Sequence, residues 1–205
     1  MIRLIGGDSS RRIVFGFIIA SATLSMWISN TATALMMLPI ALAVIHQSPD
    51  KKLAIPLLLS IAYGSSIGGL GTPIGTPPNL VFMQQYEKFT DHSVSFVQWM
   101  SWGLPVVFVF IPITALWLTR HLDYHGKLTM PPVGNWRSEE RRVLIIFGLT
   151  AVAWMTRLEP FGGWSHWLDL KNANDAIVAL IAVIILFLVP NGRGSKLLDW
   201  QSAEK

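Results

Sequence analysis

The chain contains no cysteine. That removes disulfide frameworks, thiolate metal ligands and cysteine nucleophiles from consideration. Charge is scarce as well. Only 14% of the 205 residues are Asp, Glu, Lys or Arg, against 52% hydrophobic, whereas soluble proteins carry about 25% charged residues. Between Ile13 and Ile45, and again between Leu53 and Met83, there is no Asp, Glu, Lys, Arg or His at all. A proton relay or a fixed counter-ion within a membrane needs such a residue, so neither is available there. The five histidines, at 46, 92, 121, 125 and 166, fall in loops or at the ends of apolar blocks without metal-ligand spacing, and read as solvated side chains.

What the chain has instead is apolar length. Its mean hydropathy is +0.47, and about four or five spans of ~20 residues fit into it. The net charge of +4 and pI near 9.6 do not point to nucleic acid, because the basic residues are confined to a few short loops. The segment before Ile13 is polar and basic, but the apolar run after it is too long for a signal-peptide core and no small-residue cleavage site follows.

Those loops define a topology. Charge-free blocks occupy 13–45, 53–83, 102–119, 143–156 and 176–190. Placing 1–12, 46–52, 120–142 and 191–205 on one side collects thirteen of the 16 Lys and Arg residues there, leaving Lys88, Arg157 and Lys171 opposite. The basic side is expected to be cytoplasmic. Both flanks of the first block, Arg11-Arg12 and Lys51-Lys52, then lie on that side. As one helix the block would be roughly 50 Å long, too long for a ~30 Å hydrocarbon core. A re-entrant helical hairpin over 13–45, turning at Ser29-Asn30-Thr31, resolves the conflict. The remaining chain reads as a broken transmembrane helix over 53–86, transmembrane helices over 102–119, 143–157 and 174–190, a cytoplasmic connector over 120–142 with a short amphipathic helix from Arg120 to His125, and a cytoplasmic tail over 191–205. Arg142 and Arg157 are expected to snorkel to opposite interfaces. Trp99, Trp102, Trp164 and Trp167 fit an outer aromatic belt, and Trp117 and Trp200 an inner one. Trp27, near the hairpin tip, is expected to pack against the second broken helix.

Both long blocks are interrupted at their centres, one by Ser29-Asn30-Thr31 and the other by the run from Gly68 through Gly71-Thr72-Pro73 to Gly75-Thr76-Pro77-Pro78-Asn79. Unpaired backbone groups cost several kcal/mol each in hydrocarbon, so irregular backbone there marks protein packing or a polar cavity. Thr76 reads as an N-cap and Pro77 as a first helical residue. Two helix N-termini converging on one point favour an anion. Hydroxyls at Ser21, Thr23, Ser25 and Ser29, with freed carbonyls, suit a hard cation such as Na+. Glycines alone could serve close helix packing, but packing does not account for Pro73, Pro77 and Pro78 in the same span.

The stretch Ser25-Met26-Trp27-Ile28-Ser29-Asn30-Thr31-Ala32-Thr33-Ala34, followed by Met36-Met37-Leu38-Pro39-Ile40, closely resembles the S-N-T signature of the divalent anion/sodium symporter family, which includes dicarboxylate, citrate and sulfate carriers. Ser66-Ile67-Gly68-Gly69 through Gly75-Thr76-Pro77-Pro78-Asn79 resembles that family's second motif. The resemblance implies a first sodium site from Ser25, Ser29 and Asn30 with backbone near Gly75. It also implies substrate-carboxylate contacts from Asn30, Thr31 and Thr76. The family's small hydroxyl residue before Pro-Pro is Thr here. Family members carry an inverted second half with its own hairpin and sodium site, and initial helices that this chain lacks, so the chain resembles under half of a symporter, a central fragment.

The expected fold is therefore all-α and integral to the membrane, with a re-entrant hairpin plus about four transmembrane helices, one broken mid-membrane, as part of an inverted-repeat transporter. The expected function is sodium-coupled uptake of a small dianion, foremost a C4-dicarboxylate, by an elevator-type, multi-pass carrier of the inner (plasma) membrane. It would be a homodimer when complete, with the lipid bilayer, sodium and the dianion as partners, no nucleic acid, and no cofactor beyond the coupling ion. The alternatives are a sodium-independent anion exchanger, a sulfate or arsenite carrier, an integral membrane enzyme or a membrane scaffold. No buried nucleophile–base pair or metal cluster supports an enzyme, no catalytic residue is assigned, and a scaffold would not need paired breaks.

Overall fold

A computed structural model describes residues 9–122, 136–158, 163–170, 173–192 and 194–204. Among these residues all named elements are helical, and the only ladder contact is an isolated bridge between Pro190 and Lys196. The chain divides into two compact units, Met1–Pro132 and Val133–Lys205.

In the first unit, α1 (Ser10–Ser25) opens on Ser9, whose hydroxyl accepts from the Arg12 N–H. Its last carbonyls are turned inward at the C-terminus: the Met26 N–H reaches Ala22 O at 3.1 Å and the Ile28 N–H reaches Leu24 O at 3.0 Å. The chain reverses over Met26–Ser29, and α2 (Asn30–Gln47) begins. Ser29 sets that boundary. Its hydroxyl accepts from the Ala32 N–H at 3.3 Å and its carbonyl from the Thr33 N–H at 2.9 Å, as an N-cap residue must. Asn30 and Thr31 are thus the first helical residues rather than the turn itself.

A 3-10 turn (Lys51–Leu53) leads into α3 (Ala54–Gly68), and α4 (Pro77–Thr90) follows after eight irregular residues. Asp91 closes α4 in the left-handed conformation, φ 55°. Ser95 caps α5 (Phe96–Thr119), accepting from the Gln98 N–H at 3.0 Å.

Helices α1, α2 and α3 pack on one another around Ile13, Val14, Phe17, Met37, Ala41, Val44, Leu53, Leu57 and Ile61. The α1–α3 seam is close because it lacks side chains. A Cβ built on Gly64 would stand 2.7 Å from Ile18 O, and one on Gly68 would collide with the backbone of Ala22. The far end of the hairpin is tied down by polar contacts, with Ser10 Oγ donating to Asp50 Oδ2 at 2.7 Å and Arg11 Nε to Leu122 O at 2.5 Å. Helix α5 ends at Thr119. Arg120, whose guanidinium lies 3.6 Å over the Trp117 ring, and the buried Leu122 are not helical. The rest of the expected amphipathic helix, 123–125, lies outside the described residues, as does most of the lead-in over 1–12.

In the second unit, α6 (Ser138–Met155) packs on α8 (Asp175–Leu188), with the short α7 (Gly163–Trp167) between them in sequence and a terminal turn, α9 (Trp200–Ala203). Helix α6 starts before its apolar part because Glu140 in its first turn accepts from the Arg137 N–H at 3.1 Å, an acid at a helix N-terminus. Asn174 caps α8 through the Ile177 N–H at 3.0 Å. Arg157 is paired within this unit. Its Nε bonds Asp175 Oδ1 at 2.6 Å and its Nη1 the Ala173 carbonyl at 3.1 Å.

By length and composition α2 and α5 can cross a membrane, and α8 is a shorter apolar helix. Large apolar side chains on α5 face outward, Phe108 at 73% exposure among them, and a contiguous surface of that kind needs lipid or protein cover.

Candidate functional site

The two interruptions meet. Ser25 and Asn30, at facing ends of α1 and α2, are joined by a hydrogen bond from Ser25 Oγ to Asn30 Oδ1 at 2.6 Å. The same carboxamide oxygen lies against Gly69, the first residue after α3, where a Cβ would stand 2.6 Å away. Gly69 in turn lies against Gly75, whose own Cβ would stand 2.5 Å from Gly69 O. A Cβ at Gly75 would meet the Gly69 backbone, and one at Gly69 would displace the Asn30 carboxamide. Ser25, Asn30, Gly69 and Gly75 therefore form one contiguous group of oxygen-bearing and small residues. Ser25 and Gly75 are buried, Asn30 and Thr76 half-buried, and Ser29 and Thr31 exposed.

The irregular stretch between α3 and α4 is held by bonds that motif reading alone missed. The Asn79 side chain is 3% exposed. Its Nδ2 donates to Gly69 O and to Thr72 O, each at 2.8 Å, folding the loop back on the first turn of α4. The Thr72 hydroxyl donates to the Met26 carbonyl, so a freed C-terminal carbonyl of α1 is satisfied by the neighbouring loop. Trp99 Nε1 donates to Leu70 O at 3.0 Å. The signal for Asn79 was in the sequence: a lone amide inside an apolar block must find partners.

Trp27 stacks on Phe96, centroids 6.3 Å apart. Its neighbour Met26 is the side chain set against Gly71 of the loop. Trp99 and Trp102 join Phe82 and Tyr86 in one aromatic cluster, with centroids from 5.7 to 6.5 Å.

The group carries no formal charge, so its chemistry is that of dipoles and lone pairs. Helix α2 presents its first N–H groups, at Asn30 and Thr31, beside the Asn30 carboxamide. Thr76 precedes α4 in extended conformation, and its hydroxyl makes no cap bond. Pro77 and Pro78 contribute no N–H, so α4 offers its dipole and the Thr76 hydroxyl rather than amide donors. Carbonyls at Gly69 and Thr72 and oxygens at Ser25 and Asn30 supply hard donors. Among the described residues no group of three or more His, Asp or Glu side chains could hold a metal ion.

Comparison with known proteins shows the family. The citrate transporter (CitMHS) family model matches residues 1–192. A protein named sodium-dependent dicarboxylate transporter SdcS, from Staphylococcus aureus (strain NCTC 8325 / PS 47), is 34% identical over 100% of this chain and 44% of its own length. The protein of the same name from Staphylococcus saprophyticus is 32% identical over 97% of this chain and 42% of its own. The chain thus spans under half the length of these relatives. Family and relatives are transporters rather than enzymes, and such a family is one of membrane proteins. A match over nearly all of its residues, together with two interrupted apolar segments that meet at uncharged oxygens, places this chain in the citrate transporter family.

Proposed function

We propose that this chain carries one sodium site and part of the substrate site of a secondary transporter that moves small divalent anions, foremost C4-dicarboxylates, together with sodium. The observation that carries the reading is the Ser25–Asn30–Gly69–Gly75 group. Two interruptions far apart in sequence deliver hydroxyl, carboxamide and carbonyl oxygens to one place, with no charged side chain in either apolar block. A dianion bound near the α2 N-terminus then needs a mobile positive partner, and Na+ at adjacent neutral oxygens provides it. In this reading Ser25, Ser29, Asn30 and the backbone at Gly75 hold the ion. Asn30, Thr31 and Thr76 face a substrate carboxylate. The relatives' names support both the coupling ion and the substrate class.

The topology belongs to the same proposal. Residues 13–45 form a re-entrant hairpin entering from the cytoplasm, the helix after it is broken within the membrane, and an inverted second set of elements completes the pocket in a homodimeric, multi-pass carrier of the plasma membrane.

The test is uptake of labelled succinate by the full-length protein in liposomes, with sodium or choline outside. Saturable uptake in sodium that collapses in choline, and that Asn30→Ala abolishes while the protein still inserts, is the expected result. Equal uptake in choline overturns sodium coupling. Competition by citrate or sulfate, but not by fumarate or malate, overturns the C4-dicarboxylate assignment.

A further inference from the structure

Three buried hydroxyl oxygens, those of Ser21, Thr33 and Ser65, have no hydrogen-bond partner. Each residue is at most 2% exposed. Each extends the core stripe of its own helix by one turn: Ile13, Phe17 and then Ser21 on α1; Ala41, Met37 and then Thr33 on α2; Leu57, Ile61 and then Ser65 on α3. Ser21 lies one turn before Ser25 on α1 and Thr33 one turn after Asn30 on α2, the two residues that bond across the hairpin. Gly64, next to Ser65, has its Cβ position 3.0 Å from Ser21 Cβ. Ser65 is also one turn before Gly69, the residue set against Asn30. A layer of hydroxyls therefore lies between the apolar core and the Ser25–Asn30–Gly69 group.

A buried hydroxyl without a partner is costly, and native proteins satisfy nearly all such groups. Three neutral hydroxyls are too few to replace the hydration shell of a cation, but they match the roughly three hydrogen bonds of a typical internal water. We infer that Ser21, Thr33 and Ser65 hold one internal water beneath the proposed sodium site, and that this water accepts the hydrogen bond of the Ser25 hydroxyl when the ion binds. The inference rests on the sodium assignment made above. In the structure the Ser25 hydroxyl donates to Asn30 Oδ1. An ion between Ser25 and Asn30 requires lone pairs from both oxygens, so the Ser25 O–H must turn to another acceptor. One helical turn is about 5.4 Å, close to two hydrogen-bond lengths end to end. A water at the layer can then accept from Ser25 and from one layer hydroxyl while donating to the other two. The three residues act as positioning residues for the cation, through Ser25.

The test compares Thr33→Val, Thr33→Ser and Ser65→Ala with wild type in the full-length protein, reading thermal stability in detergent and the sodium half-saturation of succinate uptake. The expected result is that Thr33→Val and Ser65→Ala melt lower than wild type and raise the sodium half-saturation roughly three- to tenfold, the loss of about one hydrogen bond. The maximal rate at saturating sodium stays near wild type, and Thr33→Ser restores both readouts. Thr33→Val is nearly isosteric. If it melts at or above wild type with unchanged sodium dependence, the hydroxyls are simply unpaired and the inference is overturned. Lower melting with unchanged sodium half-saturation overturns the coupling to the ion. Wild-type uptake that ignores sodium instead refutes the sodium assignment, a different failure visible before any variant is made.

Discussion

The Asn30 carboxamide oxygen is shared between two neighbours. Ser25 Oγ donates to it at 2.6 Å, and Gly69 approaches it so closely that no side chain fits between them. The orientation of this one oxygen is therefore fixed from the hairpin and from the broken segment at once.

Gly69→Ala is expected to push that carboxamide aside. Its added Cβ would sit 2.6 Å from Oδ1, far inside van der Waals contact. Sodium-dependent uptake should fall at least about tenfold, the effect of a misplaced ligand worth about 1.4 kcal/mol. Gly148→Ala, where nothing lies within 4 Å of the added carbon, is the matched control and should leave uptake unchanged. Equal behaviour of the two variants would show that the Asn30 oxygen does not matter.

Asn79→Leu keeps the branched shape of the buried side chain but removes both donors. The carbonyls of Gly69 and Thr72 lose their 2.8 Å partners, and each buried acceptor left unpaired costs about 1–3 kcal/mol. The detergent-solubilised protein should melt several degrees lower and lose uptake even at saturating sodium. Unchanged melting would mean that the loop keeps its fold by other contacts.

The hairpin topology is open to cysteine labelling, because the chain has no cysteine of its own. Ser29→Cys should react with a membrane-impermeant thiol reagent slowly and from the cytoplasmic side, whereas Ser93→Cys should react from outside. Fast external labelling at both positions would convert the re-entrant hairpin into two complete spans.

In the second unit, Arg157 and Asp175 form a 2.6 Å pair with side chains 15% and 29% exposed. Removing either partner leaves a poorly solvated charge, so Arg157→Gln and Asp175→Asn should each lower thermal stability. The double variant should be more stable than the sum of the single effects, with a coupling of about 1 kcal/mol. Strict additivity would show that the pair contributes nothing.

Sequence periodicity and punctuation carried the all-helical class and the location of both interruptions, because Gly, Pro and lone polar residues in apolar blocks have few other uses. The Pro77 helix start was legible for the same local reason, whereas Thr76, expected as its N-cap, makes no side-chain cap bond, and the cap on the second arm is Ser29, which reads in the sequence as part of the turn. The partners of Asn79, Thr72 and Trp99 were not legible. They depend on how the eight residues between α3 and α4 fold back, which no local rule fixes. Arg157 shows the same limit. Snorkelling follows from its position at the end of an apolar block, but its pairing with Asp175 needs the intervening segment to return the chain beside it.

The bare seam between α1 and α3 has a mechanical consequence. Where Gly64 and Gly68 bring backbone against backbone, no side chain can change rotamer to let the helices slide. Met26 and Thr72 then lock the tips together by a hydrogen bond. The hairpin and the loop beside it are therefore held as a single stiff cassette. In the transport reading proposed above, any motion that exposes their shared oxygens to first one compartment and then the other has to be taken up by hinges outside that cassette.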